Sequence, residues 1–136
     1  MSMITIILII LMAIANACMD MNFNEYSNSI FSNFNPTFWN PSQSYVNKWK
    51  NGNKADGEKF FGSSTFLVFL TDSWHLFKMI FLSLLFMTIV ISAAKGILFF
   101  KLFTNPILNY ILIYILYTII WGIVFEISEY LLTKKS

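Results

Sequence analysis

The stretch FLVFLTDSWHLFKMIFLSLLFMTIVISAAKGILFFK, residues 66–101, joins an apolar run to the only histidine of the chain, His75. Residues 79–94 carry no charge, and with the helical turn before them the run reaches 21 residues. At about 1.5 Å per residue, a helix of this length spans about 31 Å, close to the roughly 30 Å hydrocarbon thickness of a bilayer. Lys78 fits such a helix because a lysine near a helix end extends its ammonium group toward the lipid headgroups. The sequence therefore predicts a transmembrane helix over 74–95.

Two further apolar runs each predict a transmembrane helix, over 3–20 and over 107–129. The first contains 17 consecutive uncharged residues and the second 19, so both reach the length that a spanning helix needs. Within the first, Ala13 and Ala17 form a small-residue stripe suited to close helix packing. The segment between the second and third runs is too short to cross and predicts a hairpin connection. We expect an all-α membrane protein with three transmembrane helices in one domain, 1–136.

A removed or lipidated leader is the competing interpretation of the first run. The string ANAC, residues 15–18, is similar to a lipoprotein cleavage box. A secretory leader also begins with a positively charged stretch, whereas Met1 and Ser2 supply only the terminal amine. We therefore expect the run to be retained as a helix, with cleavage or lipidation of residues 1–18 as the alternative.

Composition indicates a chain that lies in lipid rather than in water. Apolar residues make up 57% of the sequence and charged residues 12%, against about 25% charged in soluble proteins. The single cysteine, Cys18, excludes an internal disulfide and any multi-cysteine metal site. The net charge of +2 is small and scattered, so nucleic acid is not an expected partner. The expected partner is the lipid bilayer, with a protein partner or a homo-oligomer as open alternatives.

Residues 21–64 form a polar loop that is rich in aromatic side chains. This aromatic density argues against disorder, because disordered segments are typically poor in such residues. After Pro41, Ser42 predicts the start of a short helix running to about Lys50, which would lie on the headgroups with its aromatic side down. A loop packed on its own membrane helices is the alternative. The expected membrane-interface residues are those whose rings or ammonium groups suit that boundary: Trp39, Tyr45, Lys48, Trp49, Lys50, Trp74 and Lys78.

The distribution of lysines predicts the orientation. Three spans place the long loop and the C-terminus on one side of the membrane and the N-terminus on the other. The loop side holds seven lysines and the opposite side two, Lys95 and Lys101. Because lysine-rich loops stay on the cytoplasmic side, we expect the loop and the C-terminus in the cytoplasm and the N-terminus outside.

The same threading places five titratable residues at one membrane boundary: Asp20, Asp72, His75, Glu126 and Glu129. The first closes the first predicted helix, the next two open the second helix, and the glutamates close the third. If the second and third helices face one another, these side chains converge on one polar site.

Such a site has two chemical interpretations and one structural alternative. Carboxylates with one histidine can bind a divalent metal ion, whose bound water is a nucleophile near neutral pH, and the same groups can relay protons. All five are therefore candidate metal ligands, with Asp72, His75 and Glu126 as candidate catalytic residues. The alternative is that headgroups and water solvate charges at the ends of any membrane helix. No HExxH pattern, glycine-rich phosphate loop or GxSxG elbow supports catalysis.

Three strings carry a resemblance: ANACMD at 15–20, FWNPSQSYVNKWKNG at 38–52 and FFGSSTFLVFLTDSWHLFK at 60–78. Through them, residues 1–80 resemble a group of small uncharacterised bacterial membrane proteins. The resemblance implies a bacterial or phage origin, and hence a bacterial inner (plasma) membrane, but no activity. It singles out four positions: Asp20, Asp72, Trp74 and His75.

The sequence supports three hypotheses of function. The preferred one is a noncatalytic integral membrane protein whose loop docks on the membrane face or on a partner. The second is a membrane-embedded metal-dependent hydrolase, or an ion- or proton-handling protein, that uses the Asp/His/Glu cluster. The third is a small holin-like pore, which suits three spans and a lysine tail but not a long aromatic loop.

Overall fold

Long helices dominate the computed structural model, which describes residues 3–95 and 104–134. In chain order the helices are α1 (Met3–Phe23), α2 (Pro36–Trp39), α3 (Pro41–Ser44), α4 (Ser73–Lys95) and α5 (Pro106–Leu132). Three of them contain segments long and apolar enough to cross a membrane: Met3–Phe23, Ser73–Ile91 and Ile107–Leu132. The predicted all-α fold with three helices of spanning length is therefore confirmed. The predicted hairpin between α4 and α5 lies mostly outside the described residues.

The starts of α4 and α5 are both set by a side chain that caps the helix. At α4, a carboxylate oxygen of Asp72 accepts a hydrogen bond from the backbone N–H of His75 at 2.9 Å. At α5, the Asn105 side chain accepts one from the N–H of Ile107 at 2.9 Å, and Pro106 occupies the first turn. Such a cap contributes about 1 kcal/mol, because it satisfies a backbone donor that the first turn leaves unpaired. Both helices consequently begin within one residue of their predicted starts.

The central helix is α1, because α4 and α5 both pack against it. Over an apolar window of 18 residues in each of the three long helices, 44% of the residues are buried in α1, none in α4 and 6% in α5. Ala13 and Ala17 are completely buried, as the small-residue stripe predicts. The outer helices touch through the rings of Phe81 and Trp121, whose centres lie 5.6 Å apart. The second and third spans therefore pack chiefly on the first span rather than facing one another.

The long loop, the start of α4 and the end of α5 lie at the same end of the bundle. Ser73, at the start of α4, donates a hydrogen bond from its hydroxyl to the side-chain oxygen of Asn22 in α1 at 2.9 Å. After α5, the backbone N–H of Lys134 donates to the carbonyl of Asn28 at 2.6 Å. These contacts make α1 and α5 parallel to each other and antiparallel to α4, which is the threading that the sequence predicts.

The loop, residues 24–72, folds over this end of the bundle. Phe31 is its buried centre, 4% exposed, and packs against Cys18 of α1. The Trp39 ring stacks on the Phe31 ring with centres 5.0 Å apart. Burying a phenylalanine side chain contributes about 1.5–3 kcal/mol, so this contact helps to hold the loop on the helices. This packing agrees with the second interpretation of the loop, in which the loop packs on its own membrane helices rather than lying on the headgroups.

The predicted helix from Ser42 to about Lys50 is wrong beyond its first turn. The helix α3 ends at Ser44 and is capped by Asn40, whose side chain accepts a hydrogen bond from the N–H of Ser42 at 2.9 Å. The chain then turns back, and the N–H of Lys50 donates to the carbonyl of Gly57 at 3.0 Å. In a continued helix, the N–H of Lys50 would donate to the carbonyl four residues before it. Because this N–H donates instead to the returning chain, the helix cannot extend to Lys50.

Candidate functional site

Asp72 and His75 form a hydrogen-bonded pair at the start of α4. The side chain of Asp72 is buried, and its second carboxylate oxygen accepts a hydrogen bond from Nδ1 of His75 at 2.7 Å. The imidazole is about one-third exposed, at 33%. Because Asp72 occupies Nδ1, Nε2 is the ring nitrogen that faces other groups. The pair therefore presents an oriented imidazole at the boundary between α4 and the loop.

Buried polar side chains hold this pair in place. Next to Asp72, Ser73 bonds to Asn22, whose side-chain amide donates to the carbonyl of Trp39 at 2.8 Å. On the other side, the Asn47 amide donates to the carbonyl of Thr71 at 2.6 Å. In the described part of the chain, no buried side-chain nitrogen or oxygen lacks a hydrogen-bond partner. A network this complete fixes the Asp72 backbone rigidly.

Sequence reasoning missed the asparagines of this network. Asn22 and Asn47 are two of many asparagines in a polar stretch, and nothing in their local pattern separates them from solvated neighbours. Asn22 is only 1% exposed, because the folded loop covers the end of α1. The available signal was its position directly after an apolar run, where a polar residue must find a partner or reach water.

A cavity of about 340 Å³ opens on the loop side of His75. Its volume lies within the range of small-molecule sites, about 300–1,000 Å³. The walls come from α1, the loop and the start of α4: Phe23, Pro41, Ser44, Tyr45, Lys48, Asp72, Trp74 and His75. A serine, a histidine and an aspartate thus share one cavity, but no hydrogen bond joins Ser44 to His75 in the residues described. The contact by which a base activates a serine nucleophile is therefore missing.

Residues 60–70, here called the hook, lie beside the first turns of α4. A second hollow, of about 360 Å³, separates the hook from that helix. The hook contributes Phe66, Val68 and Phe69, and the α4 face contributes His75, Lys78, Met79, Leu82, Ser83 and Phe86. His75 lines both hollows, so the imidazole stands between the loop cavity and the groove along α4.

The hook exposes large aromatic side chains. Phe61 is 82% exposed and Phe66 is 63% exposed, and their rings meet edge to face at 5.7 Å. Its backbone bonds to itself: the N–H of Leu67 donates to the carbonyl of Gly62 at 2.9 Å, and the N–H of Thr71 donates to the carbonyl of Val68 at 2.9 Å. The segment therefore combines exposed apolar rings with internally paired backbone groups.

Glu58 anchors the start of the hook. Its carboxylate accepts hydrogen bonds from the Ser64 hydroxyl, from the Gly62 N–H at 2.9 Å and from the Ser64 N–H at 3.1 Å. These bonds, the Ser64 hydroxyl foremost, hold the pKa of Glu58 below its ordinary value because they stabilise the charged form.

The other predicted acidic residues lie on the α5 side of α1. Asp20, Glu126 and Glu25 lie within electrostatic range of the Glu129 carboxyl group. Glu25, Glu126 and Glu129 line an open cavity of about 680 Å³ together with Lys134.

The structure does not bring the five predicted residues into one site. Asp72 and His75 pair on the α4 side, whereas Asp20, Glu126 and Glu129 gather on the α5 side. The physical reason is the central position of α1, which the prediction of facing outer helices left out. Over the ranges 3–95 and 104–134, no group of three or more His, Cys, Asp or Glu side chains could hold a metal ion. The predicted divalent metal site is accordingly not supported.

The predicted membrane-interface residues fall into two groups. Trp39 belongs to the packed aromatic cluster around Phe31 and is a structural residue of the loop. The others include ring and lysine pairs on the surface: Lys78 lies 4.6 Å from the ring centre of Trp74, and Lys48 lies 5.9 Å from that of Trp49. Tyr45 is 64% exposed, and Lys50 is exposed beside the turn that follows Trp49. Lysine over an indole ring is a favourable pair of about 0.5–1 kcal/mol at exposed sites.

No family model matches the chain, and neither a curated protein nor a solved structure matches it.

Proposed function

We propose that the chain is an integral membrane protein that binds at one face of the membrane through its folded loop and catalyses no reaction. The observation that carries this proposal is the hook, which places exposed aromatic rings beside a helix long enough to span a bilayer. The incomplete serine, histidine and aspartate arrangement favours binding over hydrolysis.

The position of the hook along α4 supports membrane docking. The hook shares a groove with α4 residues as far along as Phe86, and these belong to the apolar spanning segment Ser73–Ile91. If that segment crosses the bilayer, side chains beside its first three turns lie at the level of the headgroups and the outer hydrocarbon. Phe61 and Phe66 would then insert their rings where aromatic residues are favoured.

Hydrogen bonds within the backbone of the hook also support membrane docking. Non-helical backbone at membrane depth is tolerated only when its N–H and C=O groups are satisfied within the protein. Several N–H groups of the hook meet this condition, among them those of Leu67 and Leu70, which donate to the carbonyls of Gly62 and Leu67. The exposed apolar side chains then gain free energy by leaving water, about 25 cal/mol for each Å² of apolar surface.

The lysines give the side of the membrane. Lys48, Lys50, Lys54 and Lys59 lie in the loop and Lys78 at the start of α4, and positive charge of this kind stays in the cytoplasm. The proposed location is the inner membrane of a bacterium, with the loop and the C-terminus inside and the N-terminus outside.

A fluorescent probe tests the depth of the hook. Bimane is attached to Phe61→Cys in a Cys18→Ala background, and the full chain is placed in lipid nanodiscs. We expect strong quenching by lipids that carry a spin label near the headgroup and weak quenching by aqueous iodide, because the ring position lies in the interface.

The matched control is Ala55→Cys, which lies exposed in the turn between Asn53 and Gly57. It should show the reverse, with strong iodide quenching and weak lipid quenching. Equal accessibility of both positions to iodide would remove the membrane-docking proposal.

A further inference from the structure

We infer that the groove between the hook and α4 binds one anionic phospholipid, with its phosphate at His75 and Lys78 and an acyl chain directed toward Phe86. This inference rests on the proposed function and deepens it, because it names the ligand that the docked loop holds.

The α4 side of the groove is a single helical stripe. His75, Lys78, Leu82 and Phe86 follow each other at intervals of three and four residues, so they lie on one face. From His75 to Phe86 the stripe is about 16 Å long at 1.5 Å per residue. Its first turn is polar and its later turns are apolar. An amphipathic ligand with a short head and a long tail matches this order.

Positive charge is placed at the head end of the groove. Lys78 lies over Trp74 with its ammonium group 4.6 Å from the ring centre, which keeps the cation near the start of α4. His75 is held through Nδ1 by Asp72, so its other ring nitrogen can donate to a phosphate oxygen when the ring is protonated. The N-terminus of α4 adds no free positive charge, because the buried Asp72 carboxylate caps it. Together Lys78 and His75 are complementary to an anionic headgroup.

The remainder of the groove selects against a soluble ligand. Phe66 and Phe69 form the opposite wall, and Met79 and Leu82 form the floor below the lysine. After the buried Ser73, the spanning segment of α4 has no buried residue, so the open side of the groove faces whatever surrounds the protein. If that surrounding is a bilayer, acyl chains are what the open side meets.

Native mass spectrometry of the intact chain, released from nanodiscs, tests the inference. The probes are phosphatidylglycerol, phosphatidylcholine of the same acyl chains, and inorganic phosphate. We expect phosphatidylglycerol to remain bound and to compete about tenfold better than phosphatidylcholine, because the choline cation of phosphatidylcholine offsets the attraction between its phosphate and Lys78. Lys78→Gln should abolish this preference, while inorganic phosphate alone should not displace the lipid.

Two matched variants separate the groove from general attraction to lipid. Leu82→Trp fills the groove and should reduce retained lipid, whereas Ile80→Trp places the same ring on another exposed part of α4 and should not. Lys54→Gln removes a lysine of equal charge in the turn before the hook and should leave the preference intact.

Three results of the lipid measurements would overturn the inference. These are equal retention of the two lipids, loss of the preference in Lys54→Gln as well as in Lys78→Gln, or displacement by inorganic phosphate alone. Each leaves the bimane result at position 61 untouched, so failure of the lipid site and failure of the docked loop are told apart. A protein found bound in place of lipid, with Leu82→Trp releasing it, would also overturn the inference.

Discussion

The two groups of polar residues on either side of α1 contain similar side chains but differ in burial and in hydrogen bonding. On the α4 side, Asp72 is buried, paired with His75 and supported by a network in which each buried group has a partner. On the α5 side, Glu126 and Glu129 line a cavity that is open to the surroundings, and Asp20 lies nearby. The difference shows that position at the membrane boundary does not define a site. Burial and hydrogen-bond partners do, and the middle helix decides which side chains can share them.

The largest expected effect is the loss of Asn22, which joins α1 to both the loop and α4. Asn22→Ala leaves the carbonyl of Trp39 and the hydroxyl of Ser73 without their partner, so we expect a loss of about 3 kcal/mol in the free energy of unfolding. Thermal unfolding in detergent measures it. The matched control is Asn24→Ala, which removes an exposed hydrogen bond to Asp20 and should cost about 0.5 kcal/mol or less. A similar decrease for both variants would mean that the α4 side is no more tightly built than the surface.

An intermediate effect, of opposite sign on the two sides, is expected from removing single carboxylates. Asp72→Ala loses a helix cap and the bond to His75, so unfolding should become easier by about 2 kcal/mol. Glu126→Gln removes one exposed negative charge from beside Glu129, and the unfolding free energy should stay the same or rise by about 0.3 kcal/mol. Chemical denaturation of the two variants at pH 7 gives the comparison. Destabilisation by both would contradict the contrast between the two groups.

How much of this was predictable depends on the scale of the feature. The three long helices follow from apolar runs of spanning length, and their starts follow from local caps such as Asn105 before a proline. The pairing of Asp72 with His75 also follows from local spacing, since residues three apart share a helical face. These are properties of short stretches, which is why the sequence predicts them.

The rest depends on tertiary packing. Apolar composition does not indicate which of the three runs lies in the middle, because lipid makes the outer faces as apolar as the core. The stripe of Ala13 and Ala17 indicates close packing of the first run but not which helices it contacts. The prediction of one converged site therefore failed at the step of helix order. The predicted helix to Lys50 failed similarly, since its N–H bonds to Gly57 across a turn that local propensity does not specify. The role of the hook was also missed, because it depends on the position of the hook beside α4, which the local sequence does not specify.

The smallest expected effect sharpens the α4 side further and concerns the acid sensitivity of the hook. The pKa of Glu58 is lower in the folded chain than its ordinary value, because the charged carboxylate accepts bonds from Ser64 and Gly62. A lowered folded pKa means that the stabilisation is complete above the ordinary glutamate pKa of about 4.3 and is lost as the pH falls through the lowered value. Bimane at position 61 should therefore become more accessible to iodide only in acid.

Glu58→Gln should raise that accessibility slightly at pH 7 and remove its dependence on pH. Asp56→Asn is the control: its carboxylate bonds to Asn51 in the neighbouring turn and not to the hook, so the acid response should persist. An unchanged acid response in Glu58→Gln would show that another group holds the hook, because this substitution removes both the charge of Glu58 and one of its two acceptor oxygens.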